Sequence, residues 1–214
     1  MVGGFDAVIV LRRASVVLRT YAGVGVALLL TFGQSAFAQA APSAHIPIRN
    51  TTSLGTIDAT LDFAHAPVTV TNLLCYIDGG FFKAGRFHRT VTMASQPNNA
   101  VKIEIIQGAP SPAPDRVGFA PIAIETTAST GLKHLDGTFS MARAGPDSAT
   151  SAFFICIDAQ SALDFGGSRN ADGQDFTAFG QVTAGMDVVR AIQRSAADGQ
   201  NLTPPIVILD MVHR

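Results

Sequence analysis

The stretch Gly137–Ile157, GTFSMARAGPDSATSAFFICI, constrains the fold more than any other part of the chain. Phe139 and Met141 alternate with Thr138, Ser140 and Ala142, the period of a half-buried strand. Phe153 to Ile157 is an unbroken apolar run, short enough for a fully buried strand. Between them Ala144-Gly145-Pro146-Asp147-Ser148 supplies residues that fix or permit unusual backbone angles. Two apolar strands joined by a polar connection make a β core, and the rest of the chain must pack around it.

The first 38 residues do not fit that core. Arg12, Arg13 and Arg19 precede an apolar run from Tyr21 to Phe32, and Ala36-Phe37-Ala38 has the small-x-small pattern of a cleavage site. The run is twelve residues long. At ~1.5 Å per helical residue it falls well short of a ~30 Å hydrocarbon layer, so the expectation is a cleavable export signal over 1–38 and no permanent membrane anchor. Residues 39–45, rich in Ala, Pro and Ser, read as a flexible leader, and 46–214 as one domain. Export would take the chain to the periplasm or, alternatively, outside the cell. Without 1–38 there remain 12 basic and 15 acidic residues, net −3, which gives no electrostatic footprint for nucleic acid.

Within the domain, Ile46–Thr51 and Leu54–Leu61 read as a hairpin. Pro67 suits the first turn of a helix whose apolar face is Val68, Val70, Leu73, Leu74 and Ile77, and Asp78-Gly79-Gly80 ends it. Residues 92–102 are polar and turn-rich and predict a surface hairpin or loop. Residues 108–121 predict a second loop. Helical spacing returns at Met186, Val189 and Ile192, and Pro205–Val212 reads as a β-branched closing strand.

Five short motifs follow one another along this domain. Phe87-His88-Arg89 comes first, then Ile105-Ile106-Gln107-Gly108, then the Gly137–Ile157 stretch. Phe179-Gly180-Gln181-Val182 and Gly185-Met186-Asp187-Val188-Val189 complete the order. In this order they resemble the cyclophilins, the peptidyl-prolyl cis-trans isomerases, over residues 46 to 212. The resemblance implies a mainly β protein, a closed antiparallel barrel capped by two α-helices. It also implies a monomer that binds proline-containing polypeptides and speeds X-Pro rotation in exported proteins, without metal or organic cofactor.

Residue by residue, the resemblance places catalysis on Arg89, with Gln107 holding the substrate backbone. Phe154, Leu163 and Ile105 would line a proline pocket, and Ala142 and Arg143 would border the substrate groove. The chemistry suits a guanidinium. Amide resonance imposes a barrier of roughly 18–20 kcal/mol on the X-Pro bond, and twisting the bond leaves a lone pair on the prolyl nitrogen. A fixed, always-charged fork that donates to that nitrogen stabilises the twisted state over both planar ones.

Several positions depart from the family pattern. Arg143 replaces an Asn, Ile105 a Met and Ala152 a groove Gln. Ala162 stands where many members carry Trp, Phe176 where a pocket His is usual, and Glu104 where a Phe is common. These changes keep open an alternative, a catalytically weak peptide-binding or chaperone module.

Other patterns are weaker. Asn170–Asp175 lacks the spacing and terminal Glu of a calcium loop and reads as a solvated turn. The five His show no paired metal spacing, and two Cys cannot build a zinc site. A Ser140/His134/Asp136 hydrolase lacks the G-x-S-x-G elbow. Cys75 and Cys156 can pack or bridge, and two buried thiols are the expectation.

Overall fold

The computed structural model describes residues 44–111, 117–170 and 172–214. The expected signal segment and most of the leader lie outside them. Strand β1 (His45–Thr52) turns at Ser53-Leu54 into β2 (Gly55–Asp62), with Arg49 opposite Asp58. Ile48 on β1 and Ile57, Ala59 and Leu61 on β2 point inward, as the alternation of a one-sided strand requires. Helix α1 (Pro67–Asp78) follows, then β3 (Gly85–Val91), β4 (Ile105–Ala109) and the one-turn α2 (Thr127–Thr130). The Gly137–Ile157 stretch supplies β5 (Thr138–Met141) and β6 (Phe153–Cys156). Strand β7 (Ala178–Ala184), α3 (Met186–Gln193), the short β8 (Ala197–Asp198) and the long β9 (Asn201–His213) complete the chain.

All pairings are antiparallel, in the order β1-β2-β7-β5-β6-β4-β3-β9, and β9 returns to β1. The sheet is therefore an eight-stranded closed barrel with β8 hanging from β9, and closure removes the free edges that an open sheet would expose. Its interior is built on aromatic rings. Phe153 lies 5.3 Å from Phe139 in a stack and 5.7 Å edge-on from both Phe82 and Phe87. Helix α1 adds Val70, Leu73, Tyr76 and Ile77 to the same core, and α3 adds Val189 and Ile192.

The continuous apolar run of β6 now has a cause. Phe153 and Ile155 face the barrel interior. Phe154 and Cys156 join a second cluster on the other face, with Val91, Ile103, Ile105 and Leu163. A strand buried on both faces cannot alternate.

Two glycines in the motifs are steric necessities. A Cβ on Gly108 would sit 2.9 Å from the Phe153 ring and 3.1 Å from that of Phe87. Gly185 caps α3 with φ +92°, and its Cβ would fall 2.3 Å from the Thr56 carbonyl oxygen.

Some expectations are corrected. Val68 is exposed, and Asn72 and Tyr76 complete the buried face of α1 instead. The first turn of α1 has no side-chain cap of its own; the Glu125 carboxylate accepts from the Val68 and Thr69 N–H groups. Of the two readings offered for residues 92–102, the loop holds: 92–104 are turns and bends without a strand. Buried Gln96 pins it by donating to the Thr92 and Ile103 carbonyls. Cys156 is buried, and burial pushes its thiol pKa far up, but Cys75 is exposed.

Candidate active site

Strict two-residue alternation would put Phe87 and Arg89 on one face of β3. They are on opposite faces. The register of β3 shifts between them against both β4 and β9, so His88 is an extra residue opposite its neighbours. This bulge sends Phe87 into the core and turns Arg89 outward, the usual work of a bulge beside a site.

Arg89 opens onto a cleft of ≈ 240 Å³. All seven residues singled out from the sequence line it: Arg89 and Gln107, then Ile105, Phe154 and Leu163, then Ala142 and Arg143. Their elements explain the meeting. Arg89 pairs with Gln107 across β3 and β4, and Gln107 with Phe154 across β4 and β6. The second apolar cluster therefore forms the cleft's greasy side, where Phe176 packs edge-on against Phe154 at 5.3 Å.

The guanidinium is held as a fork. Its Nη1 donates to Gln107 Oε1 at 3.0 Å, and Nε and Nη2 donate to Gln200 Oε1 at 3.0 and 2.6 Å. Gln200 is fixed in turn, since its Nε2 donates to the Ser95 carbonyl. The loop that interrupts the path from Arg89 to Gln107 thus sets the angle of the Arg89 plane. Burial, and then the positive charge of Arg169, pull the Arg89 pKa below its usual value.

Arg143 is committed to the protein itself. Its guanidinium donates to the Asp175 and Gln174 carbonyls and to Asp172, and stacks 4.9 Å from the centre of the Phe176 ring. It thereby ties residues 172–176 against the cleft.

Gln200, Arg169, Asn170 and Ile103 were not foreseen. Only Asp198-Gly199, a turn dipeptide, hinted that Gln200 would sit at a hairpin tip. Ala152 and Ala162, the altered rim positions, do not line the cleft.

Behind Phe154 lies a buried polar chain. His134 Nδ1 is 2.8 Å from Asp164 Oδ1, and its Nε2 is 2.9 Å from Ser140 Oγ. Asp164, not Asp136, is the carboxylate partner. Ser140 is fully buried, so its oxygen meets no substrate, and the arrangement braces the wall through His134, which stacks on Phe154.

Burial pulls the His134 pKa down, against the upward pull of Asp164. The unfolded imidazole gains its proton near pH ~6.5, the folded one only lower. The unfolded state binds more protons in that window, so stability is complete above pH ~6.5 and is lost as pH falls through the folded pKa. His88, also depressed mainly by burial, acts in the same direction. Urea unfolding between pH 7 and 5 should therefore show falling stability, with a shallower slope in His134→Gln. Equal slopes would contradict the assignment.

Among the described residues no group of three or more His, Cys, Asp or Glu is arranged to hold a metal ion, and no helix is long and apolar enough to cross a membrane.

The family described as cyclophilin type peptidyl-prolyl cis-trans isomerase/CLD matches residues 47–213. Peptidyl-prolyl cis-trans isomerase A of Dickeya dadantii is 35% identical over 198 residues, covering 89% of this chain and 94% of its own. Peptidyl-prolyl cis-trans isomerase B of Escherichia coli is 34% identical over 137 residues, covering 60% and 72%. A crystal structure of a cyclophilin type peptidyl-prolyl cis-trans isomerase from Cryptosporidium parvum superposes with TM-score 0.64 over 79% of this chain and 98% of its own. A second structure of that protein, in the presence of the dipeptide Ala-Pro, gives 0.63. Both are 22% identical and speak to the fold alone.

Proposed function

The chain belongs to the cyclophilin-type peptidyl-prolyl cis-trans isomerase family and is a peptidyl-prolyl cis-trans isomerase, and from that premise we propose that Arg89 is its catalytic group and exported polypeptides are its substrates. The observation that carries the residue assignment is the fork of Arg89, fixed by two neutral amide oxygens in a cleft with an apolar side.

The proline ring lies against Phe154, Leu163 and Ile105, which exclude water from the rotating bond. Arg89 donates to the prolyl nitrogen as twisting removes amide resonance and frees its lone pair. The interaction is stronger in the twisted state than in either planar one, so it lowers the barrier. No proton changes owner. Gln107 uses its oxygen to receive Arg89, and its amide N–H group is then the end that donates to a substrate carbonyl. Ala142 borders the bound backbone, and Arg143 holds the 172–176 wall in place. Gln200 is a positioning residue: it touches Arg89 and not the substrate.

The cleft's chemistry needs no residue beyond those of this chain, so we take the monomer as the acting form. The weak-binding alternative drew on Ala152, Ala162 and Arg143; of these only Arg143 lines the cleft, and its donors face the protein.

Export rests on the basic flank, the short apolar run and the Ala36-Phe37-Ala38 pattern. The protein isolated from the cell envelope or medium should begin at or near Gln39 by N-terminal sequencing, and act in the periplasm or outside the cell. Recovery of the chain in membranes with Tyr21–Phe32 intact would contradict export by cleavage.

A further inference from the structure

Among the described residues the cleft is lined by three arginines, Arg89, Arg143 and Arg169, and by no acidic side chain. Their charges are not equally spent. Arg143 is paired with Asp172 at 2.7 Å. Arg89 is bound only by the neutral oxygens of Gln107 and Gln200. Arg169 is anchored by Nη1, which donates to the Val101 carbonyl at 2.6 Å, and makes no ion pair with a described carboxylate. Two uncompensated guanidinium groups therefore share one half-buried cleft in a domain whose overall charge is negative.

The cation pair is assembled by two loops. Arg169 stands on the segment that follows Leu163, and its anchor Val101 stands on the loop between Arg89 and Gln107. The two loops meet at the cleft and hold the second cation there. Burial removes solvent that would screen both cations, and the charge of Arg169 adds to the cost of Arg89. An anion bound at Arg169 offsets that cost, and a guanidinium suits a carboxylate because its planar fork matches two oxygens.

We propose that this cleft selects proline segments carrying a carboxylate next to the proline, and that Arg169 is the residue that receives it. The proposal rests on the isomerase reading of the same site. The carboxylate can be the side chain of Glu or Asp on either side of the proline, or the terminal carboxylate of a chain ending in proline. Arg89 stays with the prolyl nitrogen while Arg169 takes the charge, so the selection adds to the isomerase chemistry without altering it.

The test compares isomerisation rates by NMR exchange on four peptides: Ala-Ala-Pro-Ala-amide, Ala-Glu-Pro-Ala-amide, Ala-Ala-Pro-Glu-amide, and Ala-Ala-Pro with a free C-terminus, all N-acetylated. At low salt at least one carboxylate-bearing peptide should exceed the neutral one in kcat/KM on the order of tenfold, the scale of a hydrogen bond to a charged group. Which one does so identifies the source of the carboxylate. The ratio should collapse toward one in Arg169→Gln and shrink near 1 M salt, where the Debye length is about 3 Å. Arg169→Lys should keep part of it. A wild-type ratio of one for all three peptides, or a ratio unchanged in Arg169→Gln, overturns the proposal. If the wild type isomerises none of the four, the isomerase reading fails instead. Calorimetric binding of the same peptides then decides the charge selection alone.

Discussion

Arg89→Ala is expected to lower kcat/KM on a single Xaa-Pro peptide by about a hundredfold to a thousandfold, the scale of losing one preorganised donor. The fold should survive, because Arg89 projects outward from β3 and contributes nothing to the barrel core. Circular dichroism and urea unfolding check that. Arg89→Lys should recover part of the activity, since an ammonium is a point charge and cannot reproduce three fixed bonds to Gln107 and Gln200. Gln107→Ala should cost less, because it positions substrate without meeting the developing lone pair. Gln200→Ala should fall between, and lower kcat while leaving KM, as expected for a residue that acts only through Arg89. A folded Arg89→Ala with wild-type kcat/KM would remove Arg89 from the mechanism.

Phe153→Ala should be the most damaging single truncation of the barrel. Its ring is fully buried and touches Phe82, Phe87 and Phe139, which come from three separate segments. Removing it leaves a cavity that strands on several sides cannot collapse to fill, and the expected loss is about 3–5 kcal/mol in urea unfolding. Phe153→Leu keeps most of the volume and should cost clearly less, which preserves the comparison if the alanine variant does not fold. Phe154→Ala, one residue along and on the opposite face, should chiefly raise KM by opening the proline pocket. A Phe153→Ala loss below ~1 kcal/mol would contradict the placement of the ring at the centre of the core.

The barrel was legible in the sequence because its strands carry their own pattern. Period two in Thr138–Met141 and an unbroken run in Phe153–Ile157 marked both as strands. The half-buried reading of the first is corrected: all four residues of β5 are buried, Thr138 and Ser140 on polar partners and Phe139 and Met141 in the core. The cleft residues were legible for a different reason. All but Leu163 lie within a short motif whose order resembles one family, and strand pairing then brings Arg89, Gln107 and Phe154 side by side.

What could not be read depends on distance or on register. The bulge at His88 is invisible to periodicity, which would have buried Arg89 beside Phe87. Gln200 reaches Arg89 across 111 residues of chain, and no local pattern marks that contact. The carboxylate beside His134 was sought at Asp136, two residues away in sequence, and lies at Asp164, thirty away. Val68 fits the helical period of α1 but sits at the outer margin of its face. The 92–102 stretch read only as a surface hairpin or loop; it anchors Gln200 through Ser95 and Arg169 through Val101.

The central claim is that Arg89 acts on the rotating bond and not on peptide capture. NMR exchange on a saturating Xaa-Pro peptide measures the cis-trans rate of the bound peptide separately from its affinity. The account predicts that Arg89→Ala lowers the bound-state rate by at least about a hundredfold while Kd changes only a few-fold. A variant that loses affinity but rotates its bound peptide at the wild-type rate would contradict it.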